Sequence, residues 1–357
     1  MGVQGPVHAE WSHNLHDSEL VGVCDIDGSK VKAMVAKYKC KGYTDYHEML
    51  ENKDIDAIII VTPGELHAQM AIDAAKAGKH VAVEKPLCIE LKEADEMIRA
   101  VKKAGVRDAY FENLCYAPTY ATAKQVMDDG GIGDVFFIRC GESGGLGIDT
   151  YKAMFEKARK EGKKPSRGEY GILHGGGCHP IMCVRYLYDR QPAVRVYAET
   201  RSYARGEPMN EDVALVTITY KGGQIAWIDA CSYALGTFDD RCEIYGTKGS
   251  ILMDLYGVHM TTGIKVYSQP GFNPTIGSSR YPRGKGYFGT QTNWSHPMTD
   301  EERSLGYYHE QEAFLKSILA EERPSVNFDD GKATLEVIFA AYKSRDTGNS
   351  VTLPLTY

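Results

Sequence analysis

Along the first third of the chain, apolar positions switch repeatedly between a strand period and a helix period. Leu20–Cys24 is a short apolar run closing on Asp25, and Lys30–Tyr38 follows with Val31, Met34, Val35 and Tyr38 at helical spacing. Asp56–Val61 holds five apolar residues in a row, rich in Ile, as expected of a strand buried on both faces. Glu65–Ala77 places Leu66, Met70, Ile72 and Ala77 in a helix that stops at Gly78. His80–Val83 reads as the next strand, and Leu91, Ala94, Met97, Ile98 and Val101 mark another amphipathic helix. Strands alternating with helices predict a doubly wound parallel sheet with crossover connections.

After about residue 115 the pattern changes. Val135–Cys140, Arg195–Thr200, Val213–Tyr220, Gln224–Asp229 and Arg241–Tyr245 read as longer strands of a mostly antiparallel sheet. Lys221-Gly-Gly is a hairpin turn between two of them. Thr119–Asp128 and Glu310–Ala320 read as helices. Gly141–Gly177 is expected to be a long surface loop carrying one charged helix, with the basic run Lys157–Lys164 on its solvated face. Ser268–Ser295 is read as a second long loop, with Tyr281 and Tyr287 as candidate aromatic contacts. The expected division is residues 1–115 and 116–357.

A length of 357 residues agrees with about two domains. Lys+Arg of 41 against Asp+Glu of 48 leaves a formal −7, which argues against a nucleic-acid binder. It gives no reason to expect an anionic membrane partner either. No apolar run is long enough to span a bilayer, and the first residues lack the marks of a signal peptide. Nine cysteines without a C-x-x-C pair are expected to be reduced thiols of a cytoplasmic protein.

In a parallel sheet, ligands gather beyond the carboxyl ends of the strands. Three such ends are polar here: Asp25, Thr62-Pro63 and Glu84-Lys85-Pro86. Asp25 suits the hydroxyls of an NAD ribose and opposes the 2′-phosphate of NADP; a strand-end turn or helix cap accounts for it equally well. Lys85, held before a proline, could exchange protons if partly desolvated, though a lone lysine is more often a solvated surface residue.

The run Val81-Ala-Val-Glu84-Lys85-Pro86-Leu87 carries a resemblance. With Thr62-Pro63-Gly-Glu-Leu-His67, Ala77-Gly-Lys-His80 and Asp45-Tyr46, it resembles the Gfo/Idh/MocA oxidoreductases. The similarity continues through Glu112-Asn113-Leu-Cys-Tyr116, Gly177-Cys-His179-Pro180 and Glu243-Ile-Tyr-Gly-Thr-Lys-Gly to Val351-Thr-Leu-Pro, nearly the whole chain. It implies an N-terminal Rossmann-like NAD(P)-binding domain and a C-terminal α/β domain on a large open sheet. The implied activity is oxidation or reduction of a secondary ring hydroxyl of a sugar, glycoside or cyclitol. The implied catalytic residues are Lys85 and His179. Thr62, Pro63, His67, Glu84, Asn113 and Asp25 would lie along the cofactor, with Tyr116 and His309 toward substrate. A homodimer or homotetramer is the expected assembly.

Two departures from the family pattern stand out. Gly2 and Gly5 with His8 fit only the last two glycines and trailing histidine of the dinucleotide loop, and the strand that should precede them has no counterpart. Loss of that central strand is expected to leave two unpaired strand edges and an incomplete phosphate cradle. The expectation is that the native chain starts upstream of Met1. The second departure lies at the histidine. Gly175 and Met182 replace two acidic residues, so His174 is the candidate to fill part of the missing role. The spacing of His174, Cys178 and His179 is not a strong zinc pattern, and no metal is expected. Two other classes remain open: an NAD-retaining glycosidase or eliminating enzyme using transient C3 oxidation, and a non-catalytic relative.

Overall fold

The computed structural model describes residues 4–145, 148–160, 171–203, 211–232, 238–254, 263–268, 294–295 and 305–357. Gly2, Tyr281, Tyr287, the end of the basic run (residues 161–164) and most of the second long loop lie outside the described residues. The chain begins with α1 (Gln4–Asn14), β1 (Gly22–Cys24), α2 (Gly28–Tyr38), β2 (Lys41–Tyr43) and α3 (Tyr46–Glu51). Next come β3 (Ala57–Ile60), α4 (Gly64–Lys76), β4 (His80–Glu84), α5 (Leu91–Ala104), β5 (Asp108–Phe111) and a 3-10 turn, Asn113–Tyr116. The middle of the chain holds α6 (Pro118–Asp128), β6 (Val135–Gly144), α7 (Ile148–Lys160), α8 (Ile172–Gly175) and α9 (Cys178–Leu187). Strands β7 (Ala193–Arg201), β8 (Val213–Tyr220), β9 (Ile225–Cys231), β10 (Phe238–Asp239) and β11 (Arg241–Gly246) follow. The last elements are β12 (Gly249–Asp254), β13 (Ile264–Ser268), β14 (Trp294–Ser295), α10 (Tyr307–Leu319), α11 (Phe328–Thr347) and β15 (Val351–Thr352).

Two units emerge. The first comprises Met1–Tyr116 and Gly306–Leu335. Its strands are all parallel, as the alternation with helices requires, but they hydrogen-bond in two pieces, β1-β2 and β3-β4-β5. Local chemistry sets the helix ends. Asp27 caps α2 by accepting Ser29 N–H at 2.9 Å, and Glu90 with Glu93 forms a capping box at α5. The central strand β4 is buried on both faces through Val81, Ala82 and Val83. Phe314 of α10 joins Ala82, Ala109 and Phe111 in one apolar cluster, its ring edge-on to Phe111 at 6.0 Å. So a helix from the far end of the sequence completes the core of the first unit.

The second unit comprises Ala117–Leu305 and Glu336–Tyr357. Among the described residues it is built on a ten-stranded sheet ordered β14-β13-β12-β11-β6-β9-β8-β7-β15, with β10 paired to β6. Every pair in it is antiparallel except β6 with β9. Strict alternation buries Ala214, Val216, Ile218 and Tyr220 of β8 and leaves Leu215 exposed, so one face meets helices and the other is open. The segment expected to be a surface loop differs from expectation near its end. There α8 is buried through Leu173 and His174, and α9 directly after the segment is buried through Cys178, Ile181 and Met182. Three consecutive glycines, Gly175–Gly177, interrupt the apolar period and hide it from a periodicity search. No helix among the described residues is long and apolar enough to cross a membrane.

Candidate functional site

The first unit collects most of the expected cofactor residues at the carboxyl ends of its strands. Asp25 follows β1, is 8% exposed, and accepts Asp27 N–H on Oδ1 at 2.8 Å; Lys30 Nζ stands 4.0 Å from its other oxygen. Asp25 is therefore a turn-former at a strand end, and its carboxylate, with Asp27 beside it, is an acceptor of the kind ribose hydroxyls need. Thr62 and Pro63 follow β3, with Pro63 at the N-cap of α4. His67 has a different place from the one expected. It is 1% exposed, with Nε2 2.8 Å from Thr62 O and Nδ1 2.8 Å from Pro86 O. The ring is a strut binding two strand-end loops together, and burial pushes its pKa down against the two carbonyls that favour the charged form.

Lys85 lies between Glu84, the last residue of β4, and Pro86. Glu84 is fixed on both oxygens: Oε2 accepts Lys85 N–H at 2.7 Å, and Oε1 meets His8 Nε2 at 2.9 Å. Gln311 of α10 donates from Nε2 to His8 Nδ1 at 3.0 Å and accepts the Ser12 hydroxyl at 2.8 Å. With Nδ1 accepting, the proton of His8 must sit on Nε2 and point at Glu84. The His8 ring stacks on Phe111 and meets Tyr307 edge-on, each at 5.5 Å. Two helices thus lock the residue that precedes Lys85.

Around this lock the structure gathers acids that the sequence reading missed. Glu112 and Glu310 are buried, and Glu310 has no hydrogen-bond partner for either carboxyl oxygen among the described residues. Burial, with the Glu84 and Glu112 carboxylates near, holds the Glu310 carboxyl well above the usual carboxylate range. Glu310-Gln311 opens a helical run, so in the sequence it looked like an ordinary acidic first turn. Gly5 is buried within α1, and Asn113, 6% exposed, opens the 3-10 turn. Tyr116, expected toward substrate, donates to or accepts from Ser325 Oγ at 3.0 Å, and burial pushes its hydroxyl pKa up. His309 is half-buried in the first turn of α10, edge-on to Tyr308 at 5.4 Å.

The second unit holds the other two candidates. His179 lies in the first turn of α9, 8% exposed, and its N–H donates to Gly176 O at 3.0 Å. His174 ends up fully enclosed at 1% exposure, its ring edge-on to Phe339 at 6.5 Å. That burial corrects the expectation that His174 stands in directly for a missing acid: its ring is packed rather than presented. A different carboxylate lies against this turn. Glu142 of β6 brings Oε1 to 3.0 Å from where a Cβ of residue 176 would stand, so Gly176 leaves it room. Among the described residues no group of three or more His, Cys, Asp or Glu could hold a metal ion.

The donor set in the first unit fits a dinucleotide: carboxylate acceptors end β1, and a lysine held by a locked glutamate ends the central strand. The comparisons agree. Residues 1–112 match the GFO_IDH_MocA model described as an oxidoreductase family with an NAD-binding Rossmann fold. Residues 128–353 match the model of the same family's C-terminal alpha/beta domain. The chain is 28% identical over 357 residues to the myo-inositol 2-dehydrogenase of Thermotoga maritima, covering 99% of this chain and 96% of that one. It is 32% identical over 218 residues to the scyllo-inositol 2-dehydrogenase (NAD(+)) of Bacillus subtilis, 58% of each chain. Among solved structures, GenD2 from gentamicin A biosynthesis in complex with NAD has a TM-score of 0.78 at 25% identity, covering 99% of this chain and 94% of that one.

Proposed function

The chain belongs to the GFO_IDH_MocA oxidoreductase family, and on that premise we propose a dehydrogenase in which Lys85 takes the proton from a secondary ring hydroxyl. As a member it is an NAD-dependent oxidoreductase acting on hydroxyl groups of sugars or cyclitols. Bound NAD supplies the hydride acceptor. The protein's own part begins at Glu84. Its two hydrogen bonds fix the backbone from which Lys85 projects, so the amine is positioned before substrate arrives. Asp25 accepts from ribose hydroxyls, and Thr62, Pro63 and Asn113 line the cofactor while His67 holds the Thr62 and Pro86 loops in register. His179 hydrogen-bonds the substrate, with Tyr116 and His309 supporting at a distance. A cyclitol is the favoured substrate, because a relative matched over nearly its whole length is a myo-inositol 2-dehydrogenase.

The observation carrying this reading is the locked Glu84-Lys85-Pro86 end of the central strand. Its test is NADH release from NAD with myo-inositol, scyllo-inositol and a panel of sugars, for wild type and Lys85→Met. Loss of a positioned general base should lower kcat by about 10²–10⁴-fold, with NADH affinity unchanged in a fluorescence titration. A Lys85→Met enzyme of normal turnover would sink the assignment. Substrate conversion without net NADH would move the reading to transient oxidation. We also propose that the open face of the large sheet seats a second copy of the chain, giving a homodimer or homotetramer.

A further inference from the structure

The turn carrying His174 and His179 starts on a carboxylate for which the proposed chemistry has no use. Glu211, 1% exposed, stands just before β8. Its backbone carbonyl accepts Ile172 N–H at 2.8 Å, and its Oε1 accepts Leu173 N–H at 2.8 Å. These are the first two amides of α8, which a helix end leaves without partners of its own. The approach is close enough to demand glycine at the cap, since a Cβ on Gly171 would stand 1.8 Å from Glu211 Oε2.

From α8 the grip passes on through backbone hydrogen bonds. Gly176 and Gly177 N–H both donate to Ile172 O at 2.7 Å, and His179 N–H donates to Gly176 O at 3.0 Å. A second route runs through side chains. The Tyr342 hydroxyl of α11 donates to Glu211 Oε1 at 3.2 Å. Tyr342 stands edge-on to Phe339 at 6.3 Å, and Phe339 edge-on to the His174 ring at 6.5 Å. One carboxylate therefore reaches both histidines, by backbone and by aromatic edges.

We propose that Glu211 is a positioning residue whose ionised carboxylate holds the α8 turn, with His174 packed inside it, and so keeps His179 in the orientation that hydroxyl oxidation requires. This rests on the reading of His179 as a substrate-facing group. The groups around the carboxyl are the Leu173 amide from α8, the Tyr342 hydroxyl and Arg345 guanidinium from α11, and the Cys178 thiol of α9, which faces Tyr342. Burial pushes the Glu211 carboxyl up to about 7 against the lowering effect of Leu173, Tyr342 and Arg345. Both forms are thus populated near neutral pH. Protonation turns charge-assisted hydrogen bonds into weaker neutral ones. The acid form gains nothing in exchange, because Oε2 has no partner among the described residues.

The direct readout is the Leu173 amide proton in ¹⁵N-leucine-labelled protein, assigned by its loss in Leu173→Met. In wild type it should shift with a midpoint of about 7, and in Glu211→Gln it should not shift. With NAD and myo-inositol as the probe pair, Glu211→Gln should lose about tenfold in kcat at pH 8, the scale of one charge-assisted hydrogen bond. KM for NAD should hold, and the acid limb of kcat near pH 7 should vanish. Identical titration in both proteins, or an unchanged acid limb and kcat in Glu211→Gln, overturns the proposal. Should that variant not fold, Glu211→Asp keeps the charge one methylene short; normal kcat there overturns the proposal equally. If wild type releases no NADH from any probe, the dehydrogenase reading fails, and the amide titration still decides whether Glu211 governs the turn.

Discussion

Glu310 and Glu84 are neighbouring acids with opposite circumstances. Glu84 has a donor for each oxygen, from His8 and from the Lys85 amide, and it serves as an anchor. Glu310 has none among the described residues, and charge there meets only apolar burial and other acids. Its native pKa is raised above the unfolded value of 4.5, so the folded state binds this proton more tightly. Stability is therefore lost as pH rises from 4.5 through the native value. Glu310→Gln copies the neutral acid without its charge. We expect it to flatten urea-unfolding stability above pH 5 and to be the more stable protein at pH 8 by roughly 1–3 kcal/mol, the scale of an unsatisfied buried polar group. A variant less stable than wild type at pH 8 would show that Glu310 is ionised and paired.

At the scale of elements, the parallel half was legible because burial on two faces writes a continuous apolar run at Val81–Val83, and crossover helices write a clear period between the strands; Ala57–Ile60 is equally apolar, although Ala57 and Ile59 are only half-buried. The open sheet was legible from strict alternation. Helices α8 and α9 were not, since α8 is only four residues long, Gly176 and Gly177 separate the two, and their burial depends on contacts distant in sequence. The same holds for the site. Lys85 and His179 carry motif context, whereas Gln311, Glu310 and Glu211 matter through partners tens to hundreds of residues away. Asp108 is another such case. At 4% exposure it accepts Arg323 Nη2 at 3.0 Å and Phe328 N–H at 3.0 Å, pinning the approach to α11 onto β5. Asp108→Ala strands the buried Phe328 N–H, while Arg323, 40% exposed, keeps Asp329, and it should cost about 1–3 kcal/mol in denaturant unfolding. A cost below about 1 kcal/mol, the level of an exposed ion pair, would mean the clamp is incidental.

At the scale of the whole molecule, the ten-stranded sheet presents Tyr197, Leu215, Ile225 and Trp227 to solvent on one face. Arg139 lies over the Trp227 ring at 4.9 Å, with Asp229 and Glu243 close to it. Charges of both signs among apolar side chains make a patch that can complement itself across a two-fold axis. If the proposed second copy sits here, Leu215→Arg with Trp227→Asp should convert the proposed dimer or tetramer to monomers in light scattering while NADH still binds. A wild type already monomeric at tens of micromolar would remove the second copy from the proposal.

The return of Gly306–Leu335 to the first unit also bears on how the protein is made. Tyr116 and Gly306 are separated by about 190 residues of the other unit. At roughly 5–20 residues per second on the ribosome, that interval lasts about 10–40 s. For all of it Phe111, Ala82 and Ala109 await Phe314, and His8 awaits Gln311. The second unit can close nearly all of its large sheet while the nascent first unit still has an uncovered apolar face. Both units thus wait for the end of the chain, the first for Gly306–Leu335 and the second for Glu336–Tyr357, and the earliest part of the nascent chain waits longest with an apolar face uncovered.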